Sequence, residues 1–437
     1  MPLTFSARHW NAVGAFVLAG LLALPAQAAV DPAGATKVFA EARAICARDD
    51  GALWGKSLCG PMLLVDPNDS SLAANQADTS GALKRSGQIF VGTLPPTVVV
   101  ANTSVDWSGT HWSEILWPLP EDAQQRHVTL AHEMFHRIQP ALGMTWPEGD
   151  NRQLDTLQGR YLLQLEWRAL AKALRAKTTA DRTTAVADAV LFRRERYRRF
   201  PDAAANEARL EWNEGVAEYT GVRLGLTTPQ ARIDYALRDL STFVSAPSYV
   251  RSFAYATGPA YGLLLDQADP AWRHKLSSGQ RLDQLLATAL QLAPPAFATL
   301  QAREKIYDDG SLYTSEVQHD REKRAQLAAL KARLVDGPVL TLPLKHTSYQ
   351  FKPQTLLPLG DFGTVYPTLR LVDDWGVLEV DDGALMGQHV TAVSAVGFDA
   401  SSLKGAGWHL SLNKGWAVVP GARKGDFLVK RTSDASH

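Results

Sequence analysis

Cysteine is the scarcest residue type in this chain: of 437 residues, only Cys46 and Cys59 are cysteines. Two cysteines without neighbouring histidines supply too few ligands for a zinc site. If one of them were a catalytic thiol, the other cysteine would be left unpaired and open to oxidation. Neither charge is in excess, since lysine plus arginine number 45 and aspartate plus glutamate also number 45. A balanced chain has no long-range attraction for nucleic acid or for an acidic membrane. We therefore expect neither a thiol enzyme nor a nucleic-acid-binding protein.

Long apolar runs are also missing, except near the N-terminus. Arg8 and His9 precede an apolar run at residues 12–24, which is followed by Pro25-Ala26-Gln27-Ala28. This order of charge, short apolar run and small-x-small site is typical of a cleaved signal peptide. The pattern predicts a signal peptide at residues 1–28, a secreted or periplasmic protein, and no stable membrane insertion. The alternative interpretation is an uncleaved membrane anchor, because short anchors have a similar apolar region.

Export changes how the two cysteines are interpreted. In an oxidising compartment, a pair of cysteines forms a disulfide by default. We therefore predict a bond between Cys46 and Cys59, which closes a short loop and contributes roughly 3 kcal/mol to stability by the loop-entropy estimate.

Hydrophobic periodicity divides the remaining chain into three parts. Residues 29–120 combine a helical segment at 35–48 with strand-like runs at 88–91 and 97–101, which predicts a small twisted sheet. Residues 121–335 are helical, beginning with a helix at about 122–139 that Pro140 ends. We assign the fold to the α+β class.

The last part, residues 336–437, alternates turn residues with short apolar runs. Three of these runs fall at 339–342, 368–372 and 416–419. This pattern is typical of a separate all-β domain of the sandwich or barrel type. A charged amphipathic helix at 320–335 connects it to the helical part.

Residues 132–136 read His-Glu-Met-Phe-His. On a helix, positions i and i+4 share one face, so His132 and His136 can bind one metal ion together. Glu133 lies about 100° round the helix, at the edge of such a site, where a base acting on water is expected. The apolar Met134 and Phe135 face away and can anchor the helix in a core. A catalytic zinc site needs a third protein ligand.

The segment Asn213-Glu214-Gly215-x-Ala217, taken with His132-Glu133-x-x-His136, resembles the signature of gluzincin metallopeptidases. The resemblance covers about residues 122–270; thermolysin-like and aminopeptidase-like members share the signature, and the aminopeptidase-like branch is the more similar of the two. It implies a zincin-like catalytic domain and assigns Glu214 as the third Zn²⁺ ligand, with Glu211 or Glu218 as alternatives. In that family an acid one turn later hydrogen-bonds a ligating histidine, a role that falls to Glu218.

A third segment is similar to the family's tyrosine-x-x-glycine helix start. It reads Tyr255-Ala256-Thr257-Gly258, and the resemblance implies that the Tyr255 phenol donates to the oxyanion in the transition state. Such a donor contributes roughly a hundredfold to a thousandfold in rate. Tyr261 and Tyr219 are the alternatives for this role.

The chain departs from the family in two places. A long insertion, residues 150–205, separates the two ligand segments, and no Gly-x-Met-Glu-Asn stretch is present, so aminopeptidase activity is not carried over. The periodicity of the insertion predicts helical hairpins, including a helix at 185–200. The C-terminal end of this predicted helix carries five arginines, which we interpret as a solvated helix face. The alternative is a patch that binds an acidic substrate or partner. The five arginines are Arg193, Arg194, Arg196, Arg198 and Arg199.

These observations predict an exported zinc metallopeptidase that acts on peptide or protein substrates. Glu133 would be the general base and Tyr255 the oxyanion donor, with His132, His136 and Glu214 as zinc ligands. Two alternatives stay open. One is a non-catalytic, zinc-stabilised binding protein, and the other is a gluzincin hydrolase of a non-peptide bond, because fold and site do not fix the substrate.

Overall fold

The computed structural model describes residues 30–95, 97–147, 149–276, 280–293, 295–351 and 356–432. The predicted signal peptide at 1–28 lies outside these residues. The chain divides into two compact units, Met1–Ala44 with Gly60–Pro120 and Ile45–Cys59 with Glu121–His437. Helices and sheets are both extensive, which confirms the predicted α+β class. Over the described ranges, no helix combines the length and apolarity that crossing a bilayer requires.

The first unit contains a six-stranded sheet in the order β3-β4-β2-β1-β6-β5. Its strands are β1 (Met62–Val65), β2 (Ser71–Ala74), β3 (Lys84–Ser86), β4 (Ile89–Thr93), β5 (Thr103–Trp107) and β6 (Thr110–Leu116). β1 and β6 run parallel, and the other neighbouring strands are antiparallel. One face buries Leu63, Val65 and Trp112 in a common core.

One strand prediction in this unit is confirmed and one is wrong. Three of the four residues of the run at 88–91 fall in β4, which begins at Ile89, whereas residues 97–101 form no strand. There the N–H of Val98 donates to the carbonyl of Pro95 in a turn, and the N–H of Ala101 donates to the Glu114 carboxylate. The apolar run is therefore a loop, because its backbone donors bind locally or to a side chain.

Twelve α-helices lie within the described residues. They are α1 (Pro32–Asp49), α2 (Ala123–Ile138), α3 (Leu157–Arg175), α4 (Thr179–Arg199), α5 (Ala203–Leu210), α6 (Val216–Gly225), α7 (Pro229–Thr242), α8 (Tyr249–Ala268), α9 (Arg273–Leu276), α10 (Leu282–Ala289), α11 (Leu300–Tyr307) and α12 (Ser311–Lys331). The predicted helix at 122–139 is α2. Asp122 caps it by accepting the N–H of Gln125, and Pro140 begins a separate 3₁₀ turn. The insertion forms α3 and α4, as predicted.

From Val339 onward the described chain is built mainly of strands. They are β7 (Val339–Pro343), β8 (Ser348–Phe351), β9 (Leu357–Pro358), β10 (Thr364–Tyr366), β11 (Leu369–Asp373), β12 (Gly376–Val380), β13 (Ala384–Met386), β14 (Val390–Ser394), β15 (Lys404–Gly405), β16 (Trp408–Leu412), β17 (Trp416–Pro420) and β18 (Phe427–Arg431). Two sheets result, β17-β18-β7-β14-β13-β10-β9 and β15-β16-β12-β11-β8. They share a core that includes Leu340, Leu371 and Trp375.

The seven-stranded sheet also packs against the end of the preceding helix. Leu327 and Leu330 of α12, with Leu334 in the π-helical turn that follows, contact Val365 and Leu385. The predicted connector at 320–335 is therefore helical, and its apolar side is buried against the β region.

Candidate metal centre

α2 presents His132 and His136 on one face, with their Nε2 atoms 2.9 Å apart. Nδ1 of His132 lies 2.7 Å from Oε2 of Glu218, and Nδ1 of His136 lies 2.8 Å from Oε1 of Gln139. An oxygen acceptor at each Nδ1 holds the proton there and leaves the lone pair on Nε2. Both imidazoles therefore direct a ligand atom toward the same point.

Glu214 reaches that point from a second segment. It belongs to a π-helical turn, Glu211–Gly215, that joins α5 to α6. Its Oε2 atom lies 3.6 Å from Nε2 of His132 and 3.6 Å from Nε2 of His136. Burial opposes ionisation of Glu214, but the two neighbouring histidines hold its pKa well below the usual range. Single π turns inside α-helices are frequent at functional sites because they redirect side chains.

The spacing of the three ligand atoms fits one metal ion. A tetrahedral zinc with bonds of about 2.0–2.1 Å holds its ligand atoms about 3.3–3.4 Å apart. The observed separations are 2.9 Å between the histidine nitrogens and 3.6 Å from each nitrogen to Glu214. Two imidazoles and one carboxylate also match the donor set of catalytic zinc sites, which leave a fourth position open. Among the described residues, His132, His136 and Glu214 are a group whose ligand atoms lie close enough together to hold one metal ion.

Glu133 is buried next to this cluster and is 5% exposed. Its Oε2 atom has no hydrogen-bond partner among the described residues. Burial raises the pKa of Glu133, and the two neighbouring histidines oppose that rise. An unpartnered carboxylate oxygen is costly in a buried position unless a ligand uses it. Glu133 thus has an acceptor available beside the three ligand atoms.

Tyr255 and Arg251, both on α8, cover Glu214. The Tyr255 hydroxyl donates to Oε2 of Glu214 over 2.7 Å, and its ring stacks on His132 with centroids 5.7 Å apart. Nη2 of Arg251 donates to Oε1 of Glu214 over 3.3 Å. Burial, followed by the charge of Glu214, raises the pKa of Tyr255 well above its ordinary value. The phenol therefore keeps its proton at neutral pH and serves as a hydrogen-bond donor.

Gln139 is a site residue that sequence reasoning missed. It is 4% exposed, accepts from His136, and donates through Nε2 to the carbonyls of Trp212 and Asn213. One amide thus fixes a histidine tautomer and also holds the backbone just before Glu214. Its position at the C-terminal cap of α2, three residues after His136, was the available signal.

Two of the five arginines of α4 do not lie on the solvated face that the sequence predicted. Arg193 and Arg196 are completely buried, so the prediction of a solvated face is wrong for these two. Arg193 binds Glu211 in a bidentate pair at 2.6 and 2.9 Å, and Arg196 binds Glu207 at 2.6 and 2.9 Å. Both arginines also donate to Glu166, at 2.7 and 2.8 Å. Because Glu211 begins the π turn, this network fixes the segment that carries Glu214.

Glycines allow the helices of the site to approach closely. A Cβ atom on Gly221 of α6 would lie 2.7 Å from the carbonyl oxygen of Val128 in α2. A Cβ atom on Gly258 of α8 would collide with the backbone of Gly215. These contacts bring the Glu214 segment against the histidines on one side and against Tyr255 on the other.

The loop between the cysteines packs on the same helices. Cys46 and Cys59 form the predicted disulfide, with Cα atoms 5.2 Å apart. Arg137 of α2 donates to the carbonyls of Leu58 and Cys59, each over 3.0 Å. Trp54 stacks on Phe135 with ring centroids 5.1 Å apart. The disulfide loop therefore supports the helix that carries both histidines.

Comparison with protein-family models, with curated proteins and with solved structures gave no match.

Proposed function

We propose that this protein is an exported zinc-dependent metallopeptidase of the gluzincin type, with a zincin-like catalytic part. The observation that carries the proposal is the convergence of Nε2 of His132, Nε2 of His136 and Oε2 of Glu214 at mutual distances of 2.9 and 3.6 Å. The unpartnered carboxylate of Glu133 lies next to them. A bound zinc ion would supply Lewis acidity, which makes water nucleophilic near neutral pH and polarises a carbonyl group.

The other steps of peptide hydrolysis are carried out by the protein's own side chains. Glu133 accepts a proton from the attacking water and returns it to the leaving amine, a role worth roughly 10² to 10⁴ in rate. The Tyr255 hydroxyl donates to Oε2 of Glu214 in this structure and turns to donate to the developing oxyanion when substrate is bound. Glu218 and Gln139 keep the two imidazoles in the tautomer that ligation requires.

The position of Glu133 supports catalysis over a purely structural metal. A structural zinc site is closed by four protein ligands, whereas this cluster has three. A structural site also has no use for a buried carboxylate with a free oxygen. The disulfide, which persists in oxidising compartments, supports export.

The test is a peptide-library digestion with the mature chain prepared in the presence of zinc. We expect cleaved bonds that mass spectrometry can assign, loss of cleavage with a zinc chelator, and recovery when zinc is returned. Protein that contains one zinc per chain and cleaves no peptide would overturn the peptidase proposal while leaving the metal site in place.

A further inference from the structure

The disulfide loop, residues 46–59, packs against the turn of α2 that carries a candidate zinc ligand. Trp54 of the loop stacks on Phe135 with ring centroids 5.1 Å apart. Arg137 donates to two carbonyls of the loop, each over 3.0 Å. Phe135 and Arg137 are the two sequence neighbours of His136. The loop therefore holds the α2 backbone on both sides of that histidine.

The same tryptophan also contacts α6. Nε1 of Trp54 donates to Oγ1 of Thr220 over 3.0 Å, and the Trp54 ring meets Tyr219 edge-on with centroids 6.4 Å apart. Tyr219 and Thr220 directly follow Glu218, whose carboxylate lies 2.7 Å from Nδ1 of His132. Trp54 is 8% exposed. One buried side chain of the loop thus links the two helices whose spacing sets the geometry of the metal centre.

The disulfide that closes this loop is exposed to solvent on one side, because Cys59 is exposed while Cys46 is buried. A dithiol can therefore reduce it in two steps. One thiolate of the dithiol attacks the Cys59 sulfur, and the Cys46 sulfur leaves and takes up a proton. The second thiolate then displaces Cys59 and closes the reductant's own disulfide. Two electrons and two protons pass to the protein, and the loop loses its covalent closure.

We propose that the Cys46–Cys59 disulfide is a redox switch for the metal centre, which binds zinc tightly when the bond is formed and weakly when it is reduced. An open loop has more conformations available to it, so Trp54 spends less time between α2 and α6. The two helices then lose a contact that fixes their spacing. The proposal rests on the proposed zinc site.

The switch gives the export of the chain a consequence for its activity. In a reducing cytoplasm the two cysteines are thiols, so a newly made chain would hold zinc weakly. Oxidation after export would close the loop and raise the zinc affinity. The peptidase would thus become active in the compartment where its substrates are met.

The test is the zinc affinity of the full mature protein, measured by competition with a chromophoric chelator. Three forms are compared: oxidised wild type, wild type reduced with a phosphine, and Cys46→Ala/Cys59→Ala without reductant. We expect the oxidised wild type to bind zinc roughly 5- to 150-fold more tightly than the other two, the usual range for two coupled sites. The control is phosphine added to the double variant, which has no disulfide and should keep its zinc affinity.

Hydrogen exchange of the zinc-free protein distinguishes a switch from a bond that only holds the fold together. We expect reduction to speed exchange in the disulfide loop, α2 and α6, and to leave exchange in α12 unchanged. Faster exchange in all helices, α12 included, would overturn the proposal. Oxidised and reduced wild type that bind zinc equally tightly would also overturn it. Oxidised protein that binds no zinc would instead overturn the proposed metal centre, and the switch with it.

Discussion

α2 and the π turn at Glu211–Gly215 supply the ligands of one candidate metal centre, but they are built differently. In α2, His132 and His136 share a face because of helical spacing alone. Asp122 caps the helix, Pro140 follows its end, and buried Met134 and Phe135 anchor it. Most of the features that position the two histidines therefore lie within the sequence of α2 itself.

The π turn depends on distant residues. Arg193 of α4 holds Glu211 at its start, and Gln139 holds the carbonyls of Trp212 and Asn213. Gly258 of α8 allows the turn to pack closely at Gly215. Two ligands can therefore be placed by local periodicity, whereas the third requires tertiary contacts, some of them from the inserted helices.

The largest expected effect comes from removing the base while leaving both ligand segments intact. We expect Glu133→Gln to lower kcat/KM for a cleaved peptide roughly 10² to 10⁴-fold, because the water proton loses its acceptor. Zinc content, measured by atomic emission, should equal that of the wild type. Wild-type cleavage in this variant would exclude Glu133 as the base.

A second variant breaks the π turn from a distance. Arg193→Met leaves Glu211 buried without its partner, so we expect the free energy of unfolding in urea to fall by about 3–5 kcal/mol. Zinc affinity, measured by chelator competition on the folded protein, should also fall. The control is Arg198→Gln, because Arg199 still binds Glu195 over 2.7 Å. Lost stability with unchanged zinc affinity would mean that the network holds the fold but does not position Glu214.

The smallest of these effects tests the link between the two segments. Gln139→Leu removes the acceptor of His136 and both donors to the π turn, so we expect zinc affinity to fall roughly 10- to 100-fold. Gln124→Leu, an exposed glutamine of the same helix, is the matched control. Equal zinc affinity in both variants would show that Gln139 does not support the site.

Local patterns predicted the parts of the fold that depend on neighbours in sequence. The limits of α2, the helices of the insertion and the strands β7, β11 and β17 follow from periodicity and turn residues. The disulfide was predicted from the two cysteines of a chain that is expected to be exported, and the structure contains it. The strand prediction for residues 97–101 was wrong because their backbone N–H groups donate to a turn and to the Glu114 side chain.

Long-range contacts explain what the sequence did not reveal about the site. Arg193 and Arg196 looked like solvated charges because no periodic signal shows that Glu166, Glu207 and Glu211 will meet them in the core. The π turn likewise has no periodic signal, since it depends on the contacts that hold it. Nothing in the sequence around Gln139 marks it as a functional residue. Its role appears only in the folded chain, where the carbonyls of the π turn lie beside its side chain.

The most direct test of the central claim is the zinc content of protein purified after expression with zinc. We predict one zinc ion per chain in the wild type, and its loss in His132→Ala, which alters α2, and in Glu214→Ala, which alters the π turn. Wild-type protein without zinc, or Glu214→Ala protein that binds zinc as tightly as the wild type, would contradict a metal centre shared by the two segments.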